Sequence, residues 1–181
     1  MFTTERLHLW GFNDSNLDDL FALHNDAQVQ RAETFGPVVP RPPKYKDFLK
    51  SLAEDSALWF TVRLRGSGDF VGHCNIRIHE PKNRDGEFSI SLSPRFWGKG
   101  YGTEATRFTV GYAFSALGLQ RLSLSVLEGN AAARGLCSKI GFREEGRKRR
   151  GNWAEGHWED IIAMGILDEE WIAQQNKTST S

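Results

Sequence analysis

The chain has 181 residues, 39% of them hydrophobic with twelve Phe and six Trp, enough for one substantial core and most simply a single domain. Twenty-three basic and twenty-three acidic residues cancel, so whole-chain electrostatics give no case for nucleic acid or an anionic membrane as partner. No apolar run approaches the roughly 20 residues that span a bilayer, and MFTTERLHLW lacks the basic and apolar regions of a signal peptide, which predicts a soluble cytoplasmic protein.

In chain order, Leu7 and Leu9 alternate with His8 and Trp10, the period of a first strand over residues 5–10. Asn13 or Asp14 can cap a helix with Leu17, Leu20, Phe21 and His24 on one face. Residues 25–43 read as the least regular stretch, broken by Gly36, Pro37, Pro40, Pro42 and Pro43. A second helix is expected from Tyr45 to Ala53. Leu58, Phe60, Val62 and Leu64 then alternate with polar neighbours, and a Gly66-Ser67-Gly68-Asp69 turn leads to a second alternating run from Phe70 to Ile78. That is a hairpin, with His73, Asn75 and Arg77 on one face of its second strand.

The next strand, Glu87 to Ser93, feeds the stretch that organises the chain. It turns at Pro94, passes Gly98, Gly100 and Gly102, and enters a helix marked by Ala105, Phe108, Thr109 and Tyr112, with Glu104 in its first turn. A glycine loop opening a helix aims unpaired amides and a positive dipole end at one point, which suits a phosphate. Lys99 adds a charge there and Thr103 a hydroxyl. The spacing is not that of a P-loop. Nor is it a dinucleotide fingerprint, because Gln120 and Arg121 stand where the ribose-binding acid belongs.

Leu122, Leu124 and Val126 form a further strand, and Asn130 begins a helix with Ala133, Leu136, Cys137 and Ile140 on its apolar face, ended by Gly141. Residues 142–150 and 157–167 are the last strand candidates. The run from Arg147 to Arg150 adjoins Glu144 and Glu145 and reads as a solvated strand end. Residues 1–173 form the expected domain, and the polar residues 174–181 are expected to be a flexible tail. Cys74 and Cys137 lie 63 positions apart without a metal-ligand pattern, so no metal site is expected.

Two strings, W-G-K-G-Y-G-T-E-A from Trp97 and N-A-A-A-R-G-L-C-S-K-I-G-F from Asn130, together resemble the GNAT superfamily of N-acetyltransferases. The Trp97 string and the opening T-E-R-L-x-L are similar to the subfamily of ribosomal-protein N-terminal acetyltransferases, and the likeness extends over about residues 3–172. It implies an α/β (α+β) fold with a mixed, mostly antiparallel sheet of about seven strands, about four flanking helices, and splayed fourth and fifth strands. It implies acetyl-CoA as cosubstrate, its pantetheine arm along Ile90 and Leu92 and against Asn130. The pyrophosphate would sit on the loop formed by Trp97, Gly98, Lys99, Gly100, Tyr101, Gly102 and Thr103.

The resemblance also implies direct attack of a primary amine on the thioester, with Glu87 the best candidate base and His73, His157 and Asp160 its rivals. The positions where relatives place a tyrosine or serine acid are Cys137 and Ala133. Thr34 and Phe35, in the connection between the first two helices, are candidates to line the acceptor cleft. The acceptor it suggests is a protein or peptide N-terminal α-amine. At pKa about 7.7–8.0 an α-amine is far easier to deprotonate than lysine at about 10.4. A small-molecule amine, or a non-catalytic acyl-CoA-binding module, are the alternatives.

Overall fold

The computed structural model describes residues 1–178. Its described strands form one eight-stranded sheet in the order β1-β2-β3-β4-β5-β6-β8-β7. They are β1 (Phe2–Thr3), β2 (Leu7–Trp10), β3 (Leu58–Leu64), β4 (Phe70–Arg77), β5 (Asp85–Leu92), β6 (Arg121–Leu127), β7 (Arg143–Ala154) and β8 (His157–Leu167). The helices are α1 (Leu17–His24), α2 (Ala27–Glu33), α3 (Tyr45–Glu54), α4 (Tyr101–Ser115), α5 (Ala131–Ile140) and α6 (Asp168–Thr178). Neighbouring strands are antiparallel except β5 and β6, which run parallel. The fourth and fifth strands anticipated from sequence are β5 and β6, because the short β1 adds one strand ahead of them.

Both faces of the sheet are covered, and the strand period decides what goes where. Phe60 and Val62 of β3 join Leu7, Leu9, Val110 and Ala113 in the main core under α4. Trp59, one residue out of phase, joins Leu20, Leu49 and Ala53 in a second core under α1 and α3. Buried alternation on both faces makes β3 and β4 almost wholly inaccessible, which is why His73 and Asn75 are buried polar residues and not solvent-facing ones.

Three expectations are corrected. Residues 25–43 are not irregular throughout: Asp26 accepts hydrogen bonds from the amides of Gln28 (2.7 Å) and Val29 (3.4 Å) and caps α2. The five glycine and proline breakers all lie downstream of that helix. The last hairpin does not pause after Arg150. β7 continues to Ala154 across a register shift between Lys148 and Asn152, where Arg150 takes a φ of 51°.

The third correction concerns the C-terminus, where residues 174–178 continue α6 and are not a free tail, while 179–181 of that expected tail lie outside the described residues. Trp171 holds the helix down. It is buried against Gly111 and Phe114, and Gln174 lies over Gly141. Replacing Trp171 with Ala is expected to cost about 3–5 kcal/mol, read as a lowered midpoint in urea unfolding.

Candidate active site

The site begins where two strands part. β5 and β6 pair only at Asp85 with Arg121, Gly86 with Leu122 and Glu87 with Ser123. Beyond Glu87, β5 stays with β4 as far as Leu92 and β6 stays with β8 as far as Leu127. The inner backbone edges of the two strands therefore face a widening gap with no strand between them, and buried backbone donors and acceptors need partners. An extended amide-containing ligand arm fits such a gap.

At its open end a cavity of about 450 Å³ is lined by Ile90 and Leu92 of β5, Trp97, Gly98 and Gly100 of the loop, Gly102 and Thr103 of α4, and Asn130. These eight expected coenzyme contacts come together. Lys99 and Tyr101 do not join them. The Lys99 ammonium lies 5.8 Å from the Phe96 ring centroid, and Tyr101 packs under the Arg6 guanidinium at 4.7 Å.

The loop is suited to an anion by its backbone. Gly98 and Gly100 have φ of 69° and 83°, and no side chain caps α4, so its first amides have no partner within the helix. Gly102 is required for a different reason. A Cβ there would stand 2.8 Å from Leu136 Cδ1 and 3.2 Å from Leu92 Cδ1, so the glycine lets α4 approach both α5 and β5.

The chain's N-terminal segment pins this loop. Glu104 accepts from Thr4 Oγ1 (2.6 Å), the Arg6 amide (2.7 Å) and Arg6 Nε (2.7 Å), while Arg6 Nη1 donates to the Lys99 carbonyl (3.0 Å). The first-turn carboxylate of α4 thus also anchors β2 to the loop. Arg107 and Lys139 line an adjoining hollow with Thr103, Glu5 and the paired Arg6 and Glu104, so two cations outside that pair lie beside the loop.

Two expected coenzyme contacts are already engaged by protein. The Trp97 indole donates to the Leu92 carbonyl (2.7 Å), tying the loop to the end of β5. Asn130 caps α5 through Oδ1, which accepts the Ala133 amide (3.0 Å), and its Nδ2 donates to the Ala32 carbonyl (2.9 Å). One amide hydrogen of Asn130 remains for a ligand.

On the side covered by α1, α2 and α3 a second cavity, of about 280 Å³, spans the same gap. Its walls include Phe35, His73, Arg77, Glu87, Ser91 and Cys137. It meets the first cavity at Ala32, Glu33, Ile90, Asn130 and Ala133. Thr34, the other residue expected in the acceptor cleft, lines a neighbouring groove of about 370 Å³ between α2 and the β7–β8 hairpin. His157 lies in that groove, and Asp160 pairs with Arg147 (3.3 Å), which also bonds Glu128 (2.6 Å).

The expected base, Glu87, sits at the closed end of the gap. Its Oε2 accepts from Arg77 Nη2 (2.6 Å) and His79 Nε2 (2.8 Å). Partial burial alone would raise its proton affinity, but the His79 and Arg77 bonds outweigh that and hold the carboxyl below its usual value. Cys137, at the usual acid position, is a buried thiol that burial pushes up to about 12.

His73 is fully buried, stacked on Trp59 at 4.3 Å, with Nε2 2.9 Å from His24 Nε2 and Nδ1 unpartnered. Burial pushes His24 down to about 4 with help from Arg41, and burial with His24 beside it holds His73 well below the ordinary value. Both rings are therefore neutral at neutral pH, one donating to the other.

The residue that sequence reasoning missed is Glu33, the last residue of α2, whose carboxylate accepts from Ser91 Oγ. Burial pushes its carboxyl up to about 8, and the Ser91 bond offsets only part of that. The only sequence signal was the Asp26 cap, which places a helix, and hence a fixed Glu33, inside the stretch read as loop.

Among the described residues no group of three or more His, Cys, Asp or Glu is placed to hold a metal, and no helix is long and apolar enough to cross a membrane. Cys74 and Cys137 are free and buried.

A Gly102→Val variant is expected to lose acetyl-CoA binding in calorimetry, because the added side chain forces α4 away from Leu136 and Leu92. Arg6→Ala, which frees the loop, should weaken binding several-fold with little change in Tm. Glu33 also sets a pH dependence. Its raised pKa means that the folded chain keeps a proton the unfolded chain releases, so stability falls as pH rises from 4.5 to about 8. The Tm of Glu33→Gln relative to the native chain should therefore rise across that window.

The family described as the acetyltransferase (GNAT) domain matches residues 6–143. The spermidine N(1)-acetyltransferase of Escherichia coli (strain K12) is 33% identical over 155 residues, 84% of this chain and 81% of that protein. One Bacillus subtilis relative is matched over only 59% of its length. The crystal structure of spermidine N-acetyltransferase from Vibrio cholerae in complex with CoA and spermine superposes with a TM-score of 0.82 at 22% identity, covering 93% of this chain and 99% of that one. Ribosomal-protein-S5-alanine acetyltransferase from Vibrio fischeri gives 0.76 at 18%, covering 94% and 97%. With the splayed strands, the uncapped glycine loop and these matches in agreement, the chain belongs to the GNAT acetyltransferases and is an acetyl-CoA-dependent N-acetyltransferase.

Proposed function

We propose that the acceptor is the N-terminal α-amine of a protein or peptide, acetylated in the cytoplasm. The amine nitrogen bonds to the thioester carbonyl carbon, the carbon–sulfur bond breaks, the amine gives up one proton and the coenzyme leaves as its thiol. Open amides along the inner edge of β5 are the donors available to the carbonyl oxygen as it gains charge.

The observation that carries this choice is the charge of the acceptor-side cavity. Glu87 is neutralised by Arg77 and His79, Glu33 holds its proton at neutral pH, and His24 and His73 are uncharged. Within that cavity no lining carboxylate is left to hold a second or third ammonium, while the adjoining groove carries Glu155, paired with Arg31, and Glu159, bonded by Asn152. An α-amine carries at most one charge and is roughly a quarter neutral at pH 7.4, so it makes no such demand. The groove beside it, bounded by Thr34, Gly36, Pro37 and Trp153, has room for the residues that follow the amine.

A second reading, a small polyamine acceptor, is favoured by the Escherichia coli relative. Peptides with a free N-terminus, the same peptides blocked at that amine, and spermidine separate the two. The free peptide is expected to exceed spermidine in kcat/KM by about tenfold or more, with the blocked peptide inert. Preference for spermidine would replace the peptide reading by the polyamine one.

A further inference from the structure

We propose that Glu33 is the general base of the transfer, receiving the amine proton at the junction of the coenzyme and acceptor cavities. The inference rests on amine acetylation as the reaction of this site, and it deepens that reading by assigning the proton. Two geometric facts carry it.

First, Glu33 lines both cavities, together with Ile90, Asn130 and Ala133. The thioester and the amine arrive through different cavities, so their reacting atoms meet at a shared wall. Glu87 lines the acceptor-side cavity alone and is held by the Arg77 guanidinium and the His79 ring at the closed end of the gap.

Second, the carboxyl is fixed there from both ends. Its Oε2 is bonded by Ser91 of β5, and the preceding residue, Ala32, is bonded through its carbonyl to Asn130 at the start of α5. Glu33 thus joins α2 to the two elements that bound the gap, without spending its charge on an arginine or lysine.

The proton balance follows. A neutral amine that attacks the carbonyl becomes cationic at nitrogen. The charged form of Glu33, a minor population at neutral pH that grows as pH rises toward 8, takes one proton as the tetrahedral species collapses and returns it to the departing thiolate or to water. With Glu33 near 8 and an α-amine near about 7.7–8.0, a single proton is shared between them at almost no cost, whereas an ordinary carboxylate would hold it too weakly.

Groups facing Glu33 leave that titration distinct. His24 of α1, His73 and Arg77 of β4, Glu87 of β5 and Cys137 of α5 line the acceptor-side cavity with it, Lys139 of α5 lines the other, and Tyr45 of α3 feels its charge. The two histidines lose their protons well below neutrality, while burial pushes Cys137 up to about 12 and raises Tyr45.

The test compares Glu33→Gln with Glu87→Gln, using whichever of peptide or spermidine the native enzyme turns over. Glu33→Gln is expected to lower kcat by about 10²–10⁴-fold, with acetyl-CoA affinity unchanged in calorimetry and acceptor KM nearly unchanged, while Glu87→Gln loses much less. In parallel, carbon NMR of glutamate-labelled native protein should show a carboxyl titrating near 8 that is missing from Glu33→Gln. A kcat kept within about threefold in Glu33→Gln, or a Glu33 carboxyl titrating like a free one, overturns the assignment. A switch of preferred acceptor overturns only the peptide reading, because the proton must leave either amine.

Discussion

The structure depends on one constraint, that β5 and β6 pair for three residues and then separate. Parallel neighbours ordinarily share a continuous ladder, and leaving it exposes backbone donors and acceptors that must be satisfied. Here each strand keeps its outer partner, so the sheet remains intact to either side while the middle opens. Everything functional is attached to that opening. The glycine loop continues β5, α5 follows β6 with Asn130 at its start, and α2 crosses from the opposite face to meet both.

Binding and chemistry make opposite electrostatic demands on this gap. At the glycine-loop end the uncapped start of α4, with Arg107 and Lys139 nearby, supplies positive potential for an anion. At the acceptor end charge is cancelled or suppressed: Glu87 by its two partners, Glu33 and the histidine pair by burial. A family resemblance carries the first pattern, because backbone amides and glycines recur with the fold. The second depends on side chains that few motif positions specify.

The parts legible in the sequence were those with a short-range signature. Alternation placed β2, β3, β4 and β6, and apolar spacing with an Asn before it and a Gly after placed α5. The glycine string located the turn into α4 that lines the larger cavity at the open end of the gap. What escaped had a weak local signal. α2 is seven residues long and abuts a proline-rich segment, the part of α6 from residue 174 onward is polar enough to read as tail, and β7 runs on through a glycine and an asparagine because β8 pairs with it.

The sequence by itself determined the family and the glycine turn that opens α4, since glycine backbone freedom and a helix start are properties of adjacent residues. Only the tertiary structure decided how the proton affinities of the two carboxylates differ. Glu87 and Glu33 are the same residue type, and no local pattern distinguishes them. Their proton affinities part because folding surrounds one with Arg77 and His79 and buries the other against Ser91, 58 positions away in the chain. Desolvation and long-range charge are properties of the packed whole, and no stretch of sequence carries them alone.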